Sequence, residues 1–180
     1  MKDIKMKIDD KGIYPIDKPN MFFALNEMGT YYEEVAKILG NGDILEIGFG
    51  MGICSKLIQR QNPKSHTIIE INKDILNYGL EWSKSKDNVK MLLGDWKDVI
   101  PTLNQKFDGI FIDTIEDGYL WDFERYAAMV SKPNTVLSMY NYKVVKNTNI
   151  YSKNINGMVL NWSIYNGNRF TTKVDKTKLI

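Results

Sequence analysis

Four carboxylates, Glu46, Glu70, Asp95 and Asp113, each stand at or beside the end of a short apolar run, and the first is followed at once by three alternating glycines, Gly48, Gly50 and Gly52. If those runs are parallel strands of one sheet, the acids face a single crevice, because ligands of such sheets gather just outside the carboxyl ends of the strands. A shared ligand explains this coincidence better than four independent solvated acids do. Glu70 follows the glycine loop at roughly the 20-residue interval at which nucleoside binders place an acid on the ribose hydroxyls. In Gly94-Asp95-Trp96, Asp95 can accept an adenine amino group while Trp96 offers apolar surface to the ring, although a tryptophan is as often core. Asp113 ends the run F-D-G-I-F-I-D and is the acid best placed for chemistry. The glycines allow a tight turn against the ligand, and a helix from Ile53 to Gln61 directs its free amides there.

Other chemistries are poorly supplied. There is one cysteine, Cys54, and one histidine, His66, whereas zinc sites want several such ligands and a thiol nucleophile wants a histidine base. Cys54 reads as a small buried thiol, and His66, opening a strand, as a surface residue. A net charge of +2 is too mild to argue for nucleic acid, and basic residues are not interleaved with aromatics. The charged amino terminus and the lack of a long apolar run lead to the expectation of a cytoplasmic protein without a membrane span.

The elements that must position these acids alternate along the chain. Strands are expected at Asp43 to Ile47, His66 to Ile71, Val89 to Leu93, Phe107 to Asp113 and Thr135 to Tyr140, with helices near Thr30 to Leu39, Lys73 to Ser83, Lys97 to Leu103 and Trp121 to Ser131. That order predicts an α/β fold with a mostly parallel sheet and helices on both faces. Asn166-Gly167 between two apolar runs predicts a closing antiparallel hairpin. Length and composition suit a single domain over 1–180, with an arm and helix over 1–40, a ligand-binding core over 41–142, and a linker and hairpin over 143–180. Residues 1–18 read as a mobile or lid-like arm, and the linker over 143–156 as a loop or short helix. Met21, Phe22, Phe23, Met28, Tyr31 and Tyr32 could cover a ligand, with ordinary packing of a helix the weightier reading. Tyr119 and Trp121 are similarly ambiguous, and Glu116 and Asp117 are candidate second acids for a cationic acceptor.

A dinucleotide fingerprint is not met in either register, since Ile53 or Ser55 falls where a glycine or alanine is wanted. The strings I-L-E-I-G-F-G-M-G-I, T-I-I-E-I-N, G-D-W-K-D-V-I-P-T-L and F-D-G-I-F-I-D-T instead resemble guanidinoacetate methyltransferase in content, order and spacing, and K-P-N-T-V-L-S-M-Y-N-Y is similar to that family's K-P-G-G strand start. Protein arginine methyltransferases are among the family's relatives. The resemblance covers residues 43–142 and implies a Rossmann-like class I methyltransferase sheet with S-adenosylmethionine as cofactor. Glu46, Gly48, Phe49, Gly50, Gly52, Glu70, Ile71, Gly94, Asp95, Trp96 and Asp113 would surround that cofactor, with Glu70 on its ribose and Gly48 to Gly52 under its methionine part. Asp113 would also hold a guanidinium.

The family's second acid lies in a W-E-T-P-Y stretch, where this chain reads Met28-Gly29-Thr30-Tyr31-Tyr32; Glu27 is the nearby substitute. The expected activity is therefore N-methylation of a small guanidino or amino compound, with Asp113 and Glu27 catalytic and a homodimer left open. An aminopropyltransferase is the alternative, although its usual G-G-G-D-G loop differs from G-F-G-M-G. A pocket that binds cofactor without turnover is the third reading and draws on Gly29.

Overall fold

The computed structural model describes residues 2–19, 29–114, 122–140, 151–155, 158–165, 167 and 170–171. Outside these lie Glu27, the cover residues Met21, Phe22, Phe23 and Met28, the acids Glu116 and Asp117, and Tyr119, Trp121 and Asn166.

Strand β3 (Asp43–Ile47) is buried along its whole length and runs through the middle of the main sheet, as its continuous apolar sequence demands. Parallel to it on one side lie β4 (Ser65–Glu70) and then β5 (Val89–Leu93); on the other lie β6 (Phe107–Ile112) and then β7 (Ser131–Met139). The chain leaves β3 toward β4 and later returns to β6, so the two flanking strands diverge from β3 in opposite directions. That is a topological switch point, the place where open α/β sheets bind ligands. Antiparallel to β7 runs β9 (Met158–Tyr165), which also pairs with β8 (Tyr151–Ile155) and β10 (Phe170–Thr171). The hairpin predicted around Gly167 is therefore present, with Tyr165 opposite Phe170. The end of the linker is strand β8, correcting the expectation of a loop or short helix.

Strand alternation sorts the core into layers. Leu45, Ile47, Ile110 and Ile112 face helix α5 (Phe123–Met129), the short helix α4 (Trp96–Val99) and the 3₁₀ turn that follows it. Ile44 and Phe111 face helices α1 (Gly29–Leu39) and α2 (Ile53–Arg60), whose buried stripes include Tyr31, Tyr32, Val35, Cys54 and Ile58. Helix α3 (Lys73–Ser83) starts at Asn72, whose side chain accepts from the amides of Asp74 and Ile75.

The amino terminus is not a free arm. Residues Met6–Asp9 (β1) and Gly12–Pro15 (β2) pair as a hairpin, and Met6 and Ile13 are buried with Phe49, Ile68 and Ile75. The Met6 amide donates to Asp74 and the Asn72 side chain donates to the Ile4 carbonyl, latching the hairpin to the start of α3. Alternating Met6, Ile8 and Ile13 around a turn ending in Gly12 is the signal that the frequent lysines obscured. No helix among the described residues is long and apolar enough to cross a membrane.

Candidate active site

The carboxyl ends of β3, β4 and β6 meet at the glycine loop. Gly48, Gly50 and Gly52 all have positive φ, and the first is the most constrained: a Cβ there would come within 2.1 Å of the Asp113 carbonyl oxygen. The Gly48 amide donates to the Ile69 carbonyl and the Asp113 amide to the Ile47 carbonyl, both at 2.9 Å, so the loop is tied to both neighbouring strands. Helix α2 then begins without a side-chain cap, leaving its first amides to a ligand.

Glu70 lies beneath this loop and is 4% exposed. Its carboxylate accepts from the Phe49 amide at 2.9 Å and the Asn72 amide at 2.8 Å. Burial raises its pKa, and the amides of Asn72, Phe49, Ile71 and Gly50 pull it back down. Glu70 therefore shapes the loop from below. The Gly94 amide donates to the Glu70 carbonyl at 3.0 Å, which brings the β5 end to the same edge. Asp95 is half-buried there and caps α4 through the Lys97 amide. The positive-φ glycines, the uncapped helix start and the acid below them fit the methionine and nucleoside parts of S-adenosylmethionine. The Phe49 ring turns inward against Trp82, and the Trp96 ring packs edge-on to Phe123 and Tyr126, so both are core contributors on their ring side.

Asp113, one residue beyond β6, takes the α1 face and is half-buried. The Tyr32 phenol donates to its Oδ2 at 2.6 Å. Burial pushes its pKa up to about 6 against the Tyr32 hydrogen bond, with the nearby Glu46 charge adding to the rise. Around it stand three tyrosines: the Tyr31 ring meets those of Tyr32 and Tyr140 edge-on at 5.6 and 5.4 Å, and Tyr32 and Tyr140 lie 6.3 Å apart. The Tyr31 side chain is 1% exposed, and its hydroxyl has no hydrogen-bond partner among the described residues. Leaving such a group unpaired in the interior costs about 1–3 kcal/mol. Burial and then the Asp113 charge push the Tyr31 pKa up, so it is a neutral phenol. Among the described residues neither Asp113 nor Glu70 is paired with a lysine or arginine.

Glu46 does not join this rim, correcting the expectation of four converging acids. It lies within β3 rather than past its end, and alternation turns it under α2, where it is 1% exposed. There it accepts from the Ser55 hydroxyl at 2.6 Å and meets His66 Nε2 at 2.9 Å. His66 is likewise fully buried, not a surface residue. With Gln59 donating to Nδ1 at 3.3 Å, the ring proton sits on Nε2 and is donated to Glu46. Its pairing with a buried acid across two strands has no short-range signature. Cys54 is buried as expected, and burial and the Glu46 charge raise its pKa.

The sequence model of guanidinoacetate N-methyltransferase matches residues 12–151. The chain belongs to that family. That family is one of the class I S-adenosylmethionine-dependent methyltransferases, in agreement with the resemblance carried by the glycine-loop and strand-end strings. Protein arginine N-methyltransferase 2 of Saccharomyces cerevisiae is 39% identical over 153 residues, covering 77% of this chain and 37% of that protein. Its counterpart in Candida glabrata is 39% identical over 115 residues, covering 58% and 27%. The chain thus spans about a third of the length of the curated relatives it matches. Among solved structures, a putative methyltransferase of Escherichia coli aligns with a TM-score of 0.63 at 12% identity, covering 86% of this chain and 92% of its own. The O-methyltransferase TomG of Streptomyces achromogenes, in complex with SAM, aligns at 0.55 and 23% identity, covering 68% and 58%. These likenesses agree with the fold described above.

Proposed function

We propose that this chain is an N-methyltransferase that passes the methyl group of S-adenosylmethionine to a guanidino or amino nitrogen held by Asp113. When bound, the cofactor supplies a sulfonium methyl group, an electrophile that needs no metal or covalent enzyme intermediate. The protein's contribution is to fix two partners in attack geometry, which is worth roughly 7 to 11 kcal/mol. In this reading the glycine loop, the α2 amides and Glu70 hold one partner. Asp113 would accept N–H bonds from the other, orient its nitrogen, and take up the proton released as the N–C bond forms and the sulfonium C–S bond breaks to leave a neutral thioether.

One observation carries the proposal. Asp113 is a half-buried acid that accepts a hydrogen bond from a neutral phenol, in a ring of tyrosines whose faces favour a cation. Such a group is costly to leave ionised without a positive ligand. Two acceptor classes meet this description. A small guanidine suits the family; an arginine side chain is favoured by the 39% identity to a protein arginine methyltransferase. The small guanidino or amino compound is our reading. An assay of the purified chain with methyl-labelled cofactor against guanidinoacetate, simple amines and an arginine-containing peptide separates the two. Labelled small guanidine that disappears with Asp113→Asn is the expected result. Labelled peptide alone would move the substrate to protein arginine, and no labelled product from any acceptor would overturn the proposal.

A further inference from the structure

We infer that Tyr31 is a second acceptor-binding residue, its buried phenol taking an N–H of the cationic methyl acceptor alongside the Asp113 carboxylate. This rests on the reading of Asp113 given above. The Tyr31 side chain is 1% exposed, and its hydroxyl lacks a hydrogen-bond partner among the described residues and lies close enough to Asp113 to be influenced by its charge. Tyr32, the next residue in α1, is already committed to Asp113 at 2.6 Å. Tyr31 and Tyr32 both pack on Tyr140, whose own amide is bonded to the Ile112 carbonyl just before Asp113. The three phenols and the acid therefore form one cluster at the β6 and β7 ends, and within it the Tyr31 hydroxyl is buried without a partner among the described residues.

A neutral phenol presents lone pairs to an N–H donor without cancelling its charge. A guanidinium can satisfy Asp113 through one edge and Tyr31 through another, since its five donors are fixed in a plane. A planar, multiply donating cation is thus the class of acceptor that completes the cluster, in preference to a tertiary amine with a single N–H. Tyr31 acts by binding and takes no proton.

The test is Tyr31→Phe, which removes one oxygen from a buried site. Initial rates against guanidinoacetate and acetyl-arginine amide at saturating cofactor should show KM raised about 5- to 20-fold. The value of kcat and the cofactor Kd should stay within about twofold, and the unfolding midpoint should hold or rise, because the variant loses an unpaired buried hydroxyl. Unchanged KM would overturn the inference while leaving the Asp113 reading intact, provided Asp113→Asn still lowers kcat/KM on the order of 100-fold. A lower midpoint with equal losses in kcat and cofactor affinity would make Tyr31 a packing residue only. Calorimetric titration with the same two guanidines separates the remaining case: no binding to the unaltered chain would end both readings together.

Discussion

The two ends of the central sheet treat their acids in opposite ways. At the amino end of β3, Asp43 meets the Lys132 ammonium at 2.6 Å and the Ser65 hydroxyl at 2.7 Å, with Lys64 at 3.7 Å. Lys132 also reaches Asp108 at 2.7 Å, which in turn accepts from the Asp43 amide. The Lys132 ammonium lowers the pKa of Asp43, while Asp108 and then Asp43 raise that of Lys132. At the carboxyl end Asp113 and Glu70 are shifted upward by burial, with no cation beside them among the described residues. One end is electrically finished by the protein itself. The other lacks such a cation among the described residues, and in the proposed reading a positively charged acceptor completes it at Asp113.

Substitution at matched acids should separate the ends most sharply. Asp113→Asn should lower kcat/KM for the acceptor on the order of 100-fold, from the loss of a charge-assisted hydrogen bond and the orientation it gives. Asp108→Asn should leave turnover within about threefold and appear in the unfolding midpoint instead. Comparable losses of turnover in both would dissolve the contrast.

The buried pair between the ends should show the next largest effect, on stability. His66→Leu leaves Glu46 buried with a smaller set of donors, and should cost about 3 kcal/mol in chemical denaturation. A change of a few tenths would show that Glu46 relaxes to other partners.

Proton linkage gives a smaller and more diagnostic signal. Asp113 has a folded pKa of about 6 against an ordinary 3.8, so the native state binds the extra proton between those values and stability falls as pH rises through that window. Asp43 has the opposite sign, stabilising above the ordinary value and losing that contribution as pH falls below it. Without ligand, Asp113→Asn should therefore gain on the parent chain as pH is taken from 4 to 7, by on the order of 1 kcal/mol after allowance for partial solvent access. Acceptor kcat/KM should rise through the same window as the carboxylate forms. A flat difference between the two unfolding curves would refute the assignment.

The smallest expected effect is at Gly29, where a Cβ would meet nothing within 4 Å among the described residues. Gly29→Glu should fold normally and, if that position borders the cluster, lower acceptor KM by about two- to fivefold. Unchanged KM would separate α1's first residue from the acceptor.

Much of this arrangement was legible in the chain. The β3 strand, its glycine loop and the order of the later strands follow from short-range pattern, because buried parallel strands read as continuous apolar runs and positive φ selects glycine. Glu70 and Asp113 were found for the same reason, each being a charge interrupting such a run. Glu46 looks equivalent but lies two residues short of the level that Glu70 and Asp113 share, since Ile47 pairs with both Ile69 and Ile112, and that distance puts it in the interior. The environments of His66 and of the Tyr31 phenol leave no short-range signal, because they come from residues on other strands and helices. The amino-terminal hairpin is marked only by the spacing of Met6, Ile8 and Ile13 within a strongly charged segment.

The contact between Gly48 and the Asp113 carbonyl has a mechanical corollary. With no room for even a methyl group between them, the shelf proposed to carry the methyl donor is mechanically tied to the strand end proposed to face the recipient. Occupying either half of the cleft should then quiet the other, visible as slower backbone amide exchange at Asp113 and Thr114 when donor alone is added.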